Sequence, residues 1–428
     1  MSTFQLVSLL VSLTALLSFV NRRFLRLPTT IGVTLVGLAV SLAVLVLGAL
    51  HLPLAEAAVR VLAGVKFNDV LFQGLLSFLL FSGALSLNTG ELFRQRTAVL
   101  TFALVSTALS ILLVGGLVYG LLRLGGLDIS WPFALLFGAI ISPTDPVAVL
   151  DLLKRARVPA RLEALVAGES LFNDGIGVVA FAVIAAVATG LGHAPLSVLG
   201  VSGLFAREAL GGVLFGAALG YAAYLLLRQV DDYVVEVLIT LAVVTGGYIL
   251  ADALHVSGPL AMVVAGLLIG RVSEGGTLSD TSRPHFESFW HLTEELLNVG
   301  LFVLIALEVI AVNFSPLTLL LGVACVPIVL FSRAVSVHLP LRALTQRYEF
   351  SPFTAQVMTW GGLRGGIAVA LAFSVPAGRA HDVFLVLTYV VVVFSIVVQG
   401  LTMDRLARKA AEAVGDGGVV EGRRAEPG

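Results

Sequence analysis

The chain has 428 residues, of which 58% are hydrophobic and only 12% are charged, and its formal net charge is -1. A soluble globular protein carries about twice that share of charged residues, so the composition indicates a chain that lies in a lipid bilayer. The sequence has no phosphate-cradling P-loop motif and no Cys/His metal cluster, which argues against ATP-driven transport and zinc chemistry. Its basic stretches are short and lie between apolar runs, as membrane-flanking charges do, so we predict no nucleic-acid partner.

Apolar runs recur along the whole chain, and each has roughly the 17 to 25 residues that a helix needs to cross a bilayer. They predict thirteen membrane segments, near 4–21, 29–50, 70–88, 97–121, 131–153, 161–189, 204–228, 233–252, 256–270, 288–312, 316–341, 353–375 and 382–404. Alternation at period two is not sustained anywhere. The predicted fold class is therefore an all-α polytopic membrane protein.

Lysine and arginine residues are distributed unevenly between the segments. If the N-terminus lies outside, nineteen of them fall on the cytoplasmic side and five on the other. Because basic loops stay in the cytoplasm, we predict a multi-pass protein of the cell (inner) membrane with its N-terminus outside and its C-terminus inside. The polar, Gly-rich stretch 410–428 is predicted to be a short disordered cytoplasmic tail after a transmembrane domain of residues 1–409.

The fifth segment is interrupted by the run Ser142-Pro143-Thr144-Asp145-Pro146. Each proline removes one backbone donor and pushes away the carbonyl group four residues earlier. A free backbone group in lipid costs several kcal/mol, so such an interruption is expected only where it faces protein, water or an ion. A simple proline kink is the alternative, but a kink does not need an acid at its centre. We predict a broken helix.

The twelfth segment contains the run Gly361-Gly362-Leu363-Arg364-Gly365-Gly366. Four glycines around one arginine favour non-helical backbone in the middle of an apolar stretch. The two breaks occupy corresponding late positions in the two halves of the chain, one with an acid and the other with a base. Interrupted segments placed in this way indicate the midplane binding site of an inverted-repeat transporter. No repeat is visible residue by residue, so this prediction depends on the positions of the breaks.

The charged residues deep within predicted membrane segments are Asp145, Glu169, Asp174, Arg333 and Arg364. A charge at the centre of a membrane helix costs about 2.5 to 3.5 kcal/mol on insertion scales, so each needs an explanation. Ion pairing accounts for part of the set, since Glu169 could neutralise either Arg333 or Arg364. Glu308, late in the tenth segment, fits a membrane interface as well as a site.

Asp174 is the candidate ion carrier. Helical spacing places Ser170 on the same face as Asp174, and Glu169 with Asn173 on an adjacent face. Hydroxyl, amide and carboxylate oxygens can therefore converge at one depth, and hard cations such as Na⁺ prefer oxygen ligands. Burial favours the protonated carboxyl group, whereas a bound cation favours its charged form. Proton and cation would then compete for one carboxylate, which is the basis of an antiport mechanism.

At these residues the sequence resembles the monovalent cation:proton antiporter-1 family, in the branch of Na⁺/H⁺ exchangers marked by an Asn-Asp pair. The matching stretches are 142–150, 168–179, 298–306 and 359–371, with 76–87 as a weaker match. The resemblance implies an inverted-repeat antiporter fold of thirteen helices in which the broken fifth and twelfth helices cross. It also implies a homodimer, with a core domain and a dimerisation domain interleaved in sequence.

The resemblance further implies roles for individual residues. Asp174 is implied to carry the ion, with Ser170 as a ligand, and Asn173 is implied to support the site through Thr144 and Asp145. On this basis we expect Na⁺ at Asp174, Ser170 and Thr144. The family's two membrane arginines correspond to Arg333 and Arg364, one of which is implied to pair with Glu169.

We therefore predict a secondary transporter and not an enzyme. It would exchange a monovalent cation (Na⁺, or else Li⁺ or K⁺) for H⁺ by alternating access, in pH and sodium homeostasis. The resemblance implies electroneutral one-for-one exchange, because electrogenic relatives carry a second aspartate at the position of Asn173. We expect lipid and a second copy of the chain as partners, and no cofactor.

Two other interpretations remain open. The first is a proton-coupled carrier of an organic or anionic solute, in which Arg364 binds the substrate and Asp174 only relays protons. The second is a membrane-embedded enzyme, for which the sequence offers neither a metal triad nor a convincing nucleophile-base pair.

A stripe of small residues in the seventh segment, Gly212, Gly216 and Gly220, permits close contact between helices. This contact could lie at a dimer seam or inside one protomer. Packing within one protomer is the favoured interpretation.

Overall fold

The computed structural model describes residues 3–50, 75–145, 147–190, 198–274 and 278–424. Within these ranges the chain is helical and contains no β-strand, which confirms the all-α class. The α-helices are α1 Thr3–Val20, α2 Thr29–Ala49, α3 Ser77–Leu85, α4 Thr89–Arg94, α5 Arg96–Thr101, α6 Thr107–Leu124, α7 Trp131–Ile141, α8 Val147–Ala156, α9 Ala160–Thr189, α10 Val198–Leu227, α11 Tyr233–Ala253, α12 Gly258–Glu274, α13 Arg283–Glu308, α14 Pro316–Leu344, α15 Thr354–Trp360, α16 Gly366–Phe373, α17 Arg379–Phe394 and α18 Gly400–Arg424. Shorter π-helical stretches are Asn21–Leu25, Phe102–Ser106 and Ser395–Gln399, and a 3-10 turn spans Val309–Ala311.

Nine helical stretches in the described part of the chain are long and apolar enough to cross a membrane. They are Val7–Leu25, Thr29–Leu47, Arg96–Leu124, Ala160–Thr189, Leu199–Leu227, Tyr233–Ala253, Arg283–Glu308, Pro316–Leu344 and Arg379–Ala413. The other predicted segments appear as shorter helices: α3 within the third, α12 as the ninth, and two pairs of half-helices as the fifth and twelfth. The part of the third segment before residue 75 lies outside the described residues. The chain is therefore a multi-pass membrane protein.

The two predicted breaks are present. The first separates α7 from α8 and contains Pro143, whereas Pro146 lies outside the described residues. The second separates α15 from α16: Gly361, Gly362 and Gly365 lie within it, and Gly366 begins α16.

The glycines of the second break provide space, and none of them has a positive φ. A β-carbon on Gly365 would overlap with the Asp145 side chain, and one on Gly362 would lie 2.6 Å from Nε of Arg333. The sequence predicted the interruption from the conformational freedom of glycine. The structure gives a different reason, which is that two charged side chains approach the backbone here.

The glycine stripe of α10 packs against α12 within the protomer, as favoured from the sequence. A β-carbon on Gly220 would lie 3.0 Å from Cα of Ala265, and β-carbons on Gly212 and Gly216 would come closer still to the backbone at the start of α12. Any larger side chain on this stripe would separate the two helices.

The final helix differs from the prediction. A disordered tail was expected over 410–428, but α18 continues to Arg424. Ala407 and Ala410 are fully buried, and alanine has the strongest intrinsic helix propensity. The expected boundary at residue 409 therefore does not coincide with the end of a helix.

Candidate functional site

The two breaks meet and satisfy each other's backbone groups. The backbone N–H of Asp145 donates to the carbonyl oxygen of Leu363 at 2.8 Å. Nη1 of Arg364 donates to the carbonyl oxygens of Ser142 at 2.6 Å and Pro143 at 2.9 Å. The break leaves carbonyl groups of the fifth segment without helical partners, and the arginine of the other break supplies the missing donors.

Arg364 is a buried cation, 2% exposed, and the groups that accept hydrogen bonds from its guanidinium group are backbone carbonyls. Its backbone N–H donates to Oγ of Ser395 at 2.9 Å, and its Nε has no hydrogen-bond partner. Within the ranges given above, no carboxylate forms a salt bridge with it, although Asp174 and Glu169 lie within electrostatic range. Of the two arginines considered from the sequence as partners of Glu169, Arg364 is therefore not the one used.

Glu169 pairs with Arg333 instead. Nη2 of Arg333 donates to Oε2 of Glu169 at 2.8 Å, and Nη1 donates to Oε1. Nε and Nη2 also donate to the carbonyl oxygen of Met358 at 3.2 and 2.9 Å. Both side chains of the pair are at most 5% exposed. The bidentate pair therefore ties α9 to α14 and, through Met358, to the half-helix α15.

Thr144, at the first break, is held by two residues of α9. Its N–H donates to Oδ1 of Asn173 at 3.2 Å, and Nδ2 of Asn173 donates back to its Oγ1 at 2.8 Å. The hydroxyl groups of Thr144 and Ser170 lie 2.9 Å apart. Asp145, the other residue expected to interact with Asn173, contacts the second break instead, and its Oδ1 accepts from the N–H of Val147 at the start of α8. Asn173 thus fixes the break through Thr144.

Asp174 lies at the wall of a cavity of about 320 Å³, which Asp145 also lines. Its side chain is 6% exposed, and it forms no salt bridge within the described ranges. The charged groups that act on it are Asp145, Arg364 and Glu169. Asp174 is therefore a buried carboxylate that is open to a cavity and has no fixed counter-ion.

Thr144, Ser170 and Asn173 lie behind this wall. Each is at most 2% exposed, and none of the three lines the cavity. Ser170 stands one helical turn before Asp174 and touches Thr144, so the structure brings two of the three expected Na⁺ ligands into contact with each other. Among the described residues, no group of three or more His, Cys, Asp or Glu side chains could hold a metal ion. The available oxygens are one carboxylate, two hydroxyl groups and backbone carbonyls, a set suited to a small hard cation.

The cavity extends from Asp174 along α13, in a direction that sequence reasoning did not identify. Its further polar lining residues are Thr29, Thr30, Ser86, Asn88, Asp151, Lys154, Glu163, His291, Glu294, Glu295 and Asn298. Oγ of Ser86 contacts Glu294 at 3.4 Å, and Lys154 lies 3.9 Å from Glu163. On α13, the residues His291, Glu294, Glu295 and Asn298 recur at helical spacing. This spacing was the signal in the sequence that could have indicated one polar face on α13. The cavity is therefore mainly acidic along its length.

Comparison with known proteins agrees with this geometry. The family model for the transmembrane region of sodium/hydrogen exchangers matches residues 9–409. The chain is 43% identical over 411 residues to the Na⁺/H⁺ antiporter NhaP of Pseudomonas aeruginosa, covering 95% of this chain and 96% of the relative. It is 35% identical over 397 residues to the Na⁺/H⁺ antiporter NhaH of Halobacillus dabanensis, covering 90% and 93%.

A solved structure shares the fold. The sodium proton antiporter MjNhaP1 of Methanocaldococcus jannaschii at pH 8 superposes with a TM-score of 0.72 at 20% sequence identity, covering 95% of this chain and 98% of the other. The inverted-repeat antiporter fold expected from the two breaks is thereby confirmed. The chain belongs to the sodium/hydrogen exchanger family of secondary transporters.

Proposed function

We propose that the protein exchanges one monovalent cation, Na⁺ by preference, for one proton, and that Asp174 carries both in turn. The observation that supports this most directly is the position of Asp174, buried at a cavity wall without a fixed counter-ion. Such a carboxylate is neutralised either by a proton or by a cation. The relatives named above are themselves called Na⁺/H⁺ antiporters.

In this proposal the residues around Asp174 have separate tasks. Ser170 and Thr144 contribute hydroxyl oxygens to the cation, after a small rearrangement of their mutual contact. Asn173 holds the break in place, and Asp145 caps α8 while adding negative potential to the cavity. Proton binding and cation binding then exclude each other at one carboxylate.

The balance of buried charge supports one-for-one exchange. Glu169 and Arg333 neutralise each other, and the single positive charge of Arg364 offsets only one of the two remaining carboxylates, Asp145 and Asp174. A charged Asp174 leaves a net charge of about -1, which one proton or one Na⁺ cancels. The empty site is costly to move through a bilayer, whereas either loaded site is neutral. Exchange is thereby obligatory, and it is electroneutral because both loaded forms carry the same charge.

The alternative of a proton-coupled carrier for an organic or anionic solute requires Arg364 to bind the substrate. Nη1 of Arg364 donates to two carbonyl groups of the first break, and Arg364 does not line the cavity. A solute would have to break the contact between the two breaks to reach it. The observed geometry therefore favours cation exchange.

Orientation, location and assembly complete the proposal. The cavity is lined by Lys154, an exposed residue that the distribution of basic residues assigns to the cytoplasmic side, so we infer that the cavity opens to the cytoplasm. The protein would then act in the inner membrane, as a homodimer with a mobile core domain that contains both breaks. Its role would be pH and sodium homeostasis, and it would need no cofactor.

The function is tested by cation-dependent proton exchange in proteoliposomes with a trapped pH dye. We expect Na⁺ to drive proton movement at the same rate with and without an imposed membrane potential. An internal pH that does not respond to Na⁺, Li⁺ or K⁺ contradicts the exchange function. A rate that changes with potential contradicts only the electroneutral stoichiometry.

Competition at one carboxylate predicts how the apparent KM for Na⁺ depends on pH. At lower pH a larger fraction of Asp174 is protonated, so the KM should rise as pH falls on the same side of the membrane. Where the protonated form predominates, one competing proton raises the KM by about tenfold per pH unit. Initial rates at several Na⁺ concentrations and pH values would measure this, and a KM independent of pH would contradict a shared site.

A further inference from the structure

One face of α13 connects the cavity with the opposite side of the membrane. Glu294 and Leu301 on this face line the cavity. Glu308 follows Leu301 by about two helical turns, so it lies on the same face and about 10 Å further along the axis. Leu301 also marks the level of the second break, because a β-carbon on Gly366 would lie 2.5 Å from its side chain. Glu308 therefore lies beyond the crossing, on the side to which the cavity does not extend.

Glu308 is a buried acid that the proposed exchange mechanism does not use. It is 9% exposed, and the residues beside it in the chain, Leu307 and Val309, are also buried. Among the residues that the structure describes, none forms a hydrogen bond or a salt bridge with its carboxylate. A carboxylate within a membrane span costs several kcal/mol unless it is paired or serves an ion pathway. Since the described part of the chain offers no such pair, ion pairing there does not account for this residue.

A second polar group without a partner comes from α17. The hydroxyl group of Tyr389 is buried and has no hydrogen-bond partner among the described residues, and the residue is 2% exposed. The Tyr389 ring meets the edge of Phe373, at the end of α16, with centroids 6.5 Å apart. Glu308 lies within electrostatic range of this phenol. Two neighbouring polar groups, neither with a hydrogen-bond partner among the described residues, thus lie on the side of the crossing to which the cavity does not extend.

We propose that Glu308 is a second ion station, which receives the cation or the proton between Asp174 and the membrane face opposite the cavity. It serves when the carrier opens to that face, and Tyr389 is a positioning residue whose hydroxyl group supports the carboxylate. The ligand class is the same as at Asp174, a monovalent cation or a proton. This inference depends on the proposed exchange function, because a second ion-binding residue is needed only if ions pass to that face.

The test measures exchange separately from each face. Everted and right-side-out membrane vesicles from cells that lack other sodium/proton antiporters present opposite faces to the added Na⁺. Glu308→Gln keeps the size and polarity of the side chain but removes its charge. We expect it to raise the KM for Na⁺ about tenfold in right-side-out vesicles, equivalent to about 1.4 kcal/mol. In everted vesicles, where the cavity faces the added Na⁺, the KM should stay unchanged.

Two further variants sharpen this result. Glu308→Asp keeps the carboxylate and should restore most of the affinity on the affected face. Tyr389→Phe removes only the hydroxyl group and should raise the KM on the same face by a smaller factor. If Glu308→Gln does not fold, Tyr389→Phe decides: a rise in KM confined to right-side-out vesicles supports the inference, and an unchanged KM in both kinds of vesicle contradicts it.

Equal effects on both faces, or no effect on either, would overturn the inference. Failure of the exchange function itself is distinguishable, because the unmodified protein would then show no Na⁺-driven proton movement in either kind of vesicle.

Discussion

Replacement of Asp174 by asparagine is expected to abolish Na⁺-driven proton exchange while the protein still folds. The amide is nearly the same size as the carboxyl group, but it can neither release a proton nor neutralise a cation. No other acid in the site can take over, since Glu169 is held by Arg333 and Asp145 caps α8. The measurement is the dye assay in proteoliposomes, normalised to the amount of reconstituted protein.

A matched control comes from the same cavity. Asp151 also lines it but is exposed, so Asp151→Asn should alter the apparent affinity for Na⁺ only slightly and leave the maximal rate intact. Asp174→Glu retains a titratable group and should keep a fraction of the activity. Exchange by Asp174→Asn at the unmodified rate would show that the carrier residue lies elsewhere.

The second large effect is expected at the pair of Glu169 and Arg333. Arg333→Met removes the cation and leaves Glu169 buried without a partner, which typically destabilises a protein by about 3 to 5 kcal/mol. The carbonyl group of Met358 loses its two donors as well. The midpoint temperature of thermal unfolding should clearly decrease. It is measured on the purified protein in detergent, and the loss of the monodisperse peak on heating reports unfolding.

The double variant separates charge from packing. Combining Arg333→Met with Glu169→Gln removes both charges, and it should recover part of the lost stability because no unpaired ion remains. The exposed pair of Arg408 and Asp404 provides the control: Asp404→Asn should change stability by less than about 1 kcal/mol. A double variant no more stable than Arg333→Met alone would contradict the charge explanation.

The broken helices were predictable from the sequence, and the proposed carrier Asp174 could be singled out, because both depart from the rules of a membrane helix. Prolines, clustered glycines and an acid in an apolar run are each costly in lipid, so their presence at Pro143, Gly365 and Asp174 points to a site. The four-residue spacing of Ser170 and Asp174 also fixes their common face on α9. These inferences need only local helix geometry.

The partners of the two arginines could not be predicted in the same way. Arg333 and Arg364 are both buried bases in late segments, and either could neutralise Glu169 by charge alone. The choice depends on how distant helices pack, which places Arg333 beside Glu169 and directs Arg364 to the carbonyl groups of the first break. The acidic residues of the cavity were missed for a related reason. Near a segment end, Glu294 resembles an ordinary interfacial charge until the fold places it beside Ser86.

The contact between the two breaks limits how this carrier can work. Asp145 is hydrogen-bonded to the backbone of Leu363. Arg364 is hydrogen-bonded to the backbone of Ser142 and Pro143. Neither broken helix can therefore bend on its own without losing several hydrogen bonds. In the proposed mechanism, the residues that bind the ion and the surface along which the core domain moves are therefore different parts of the molecule. Ion preference and turnover speed should consequently be separable, so that one can be changed by mutation or by evolution while the other stays constant.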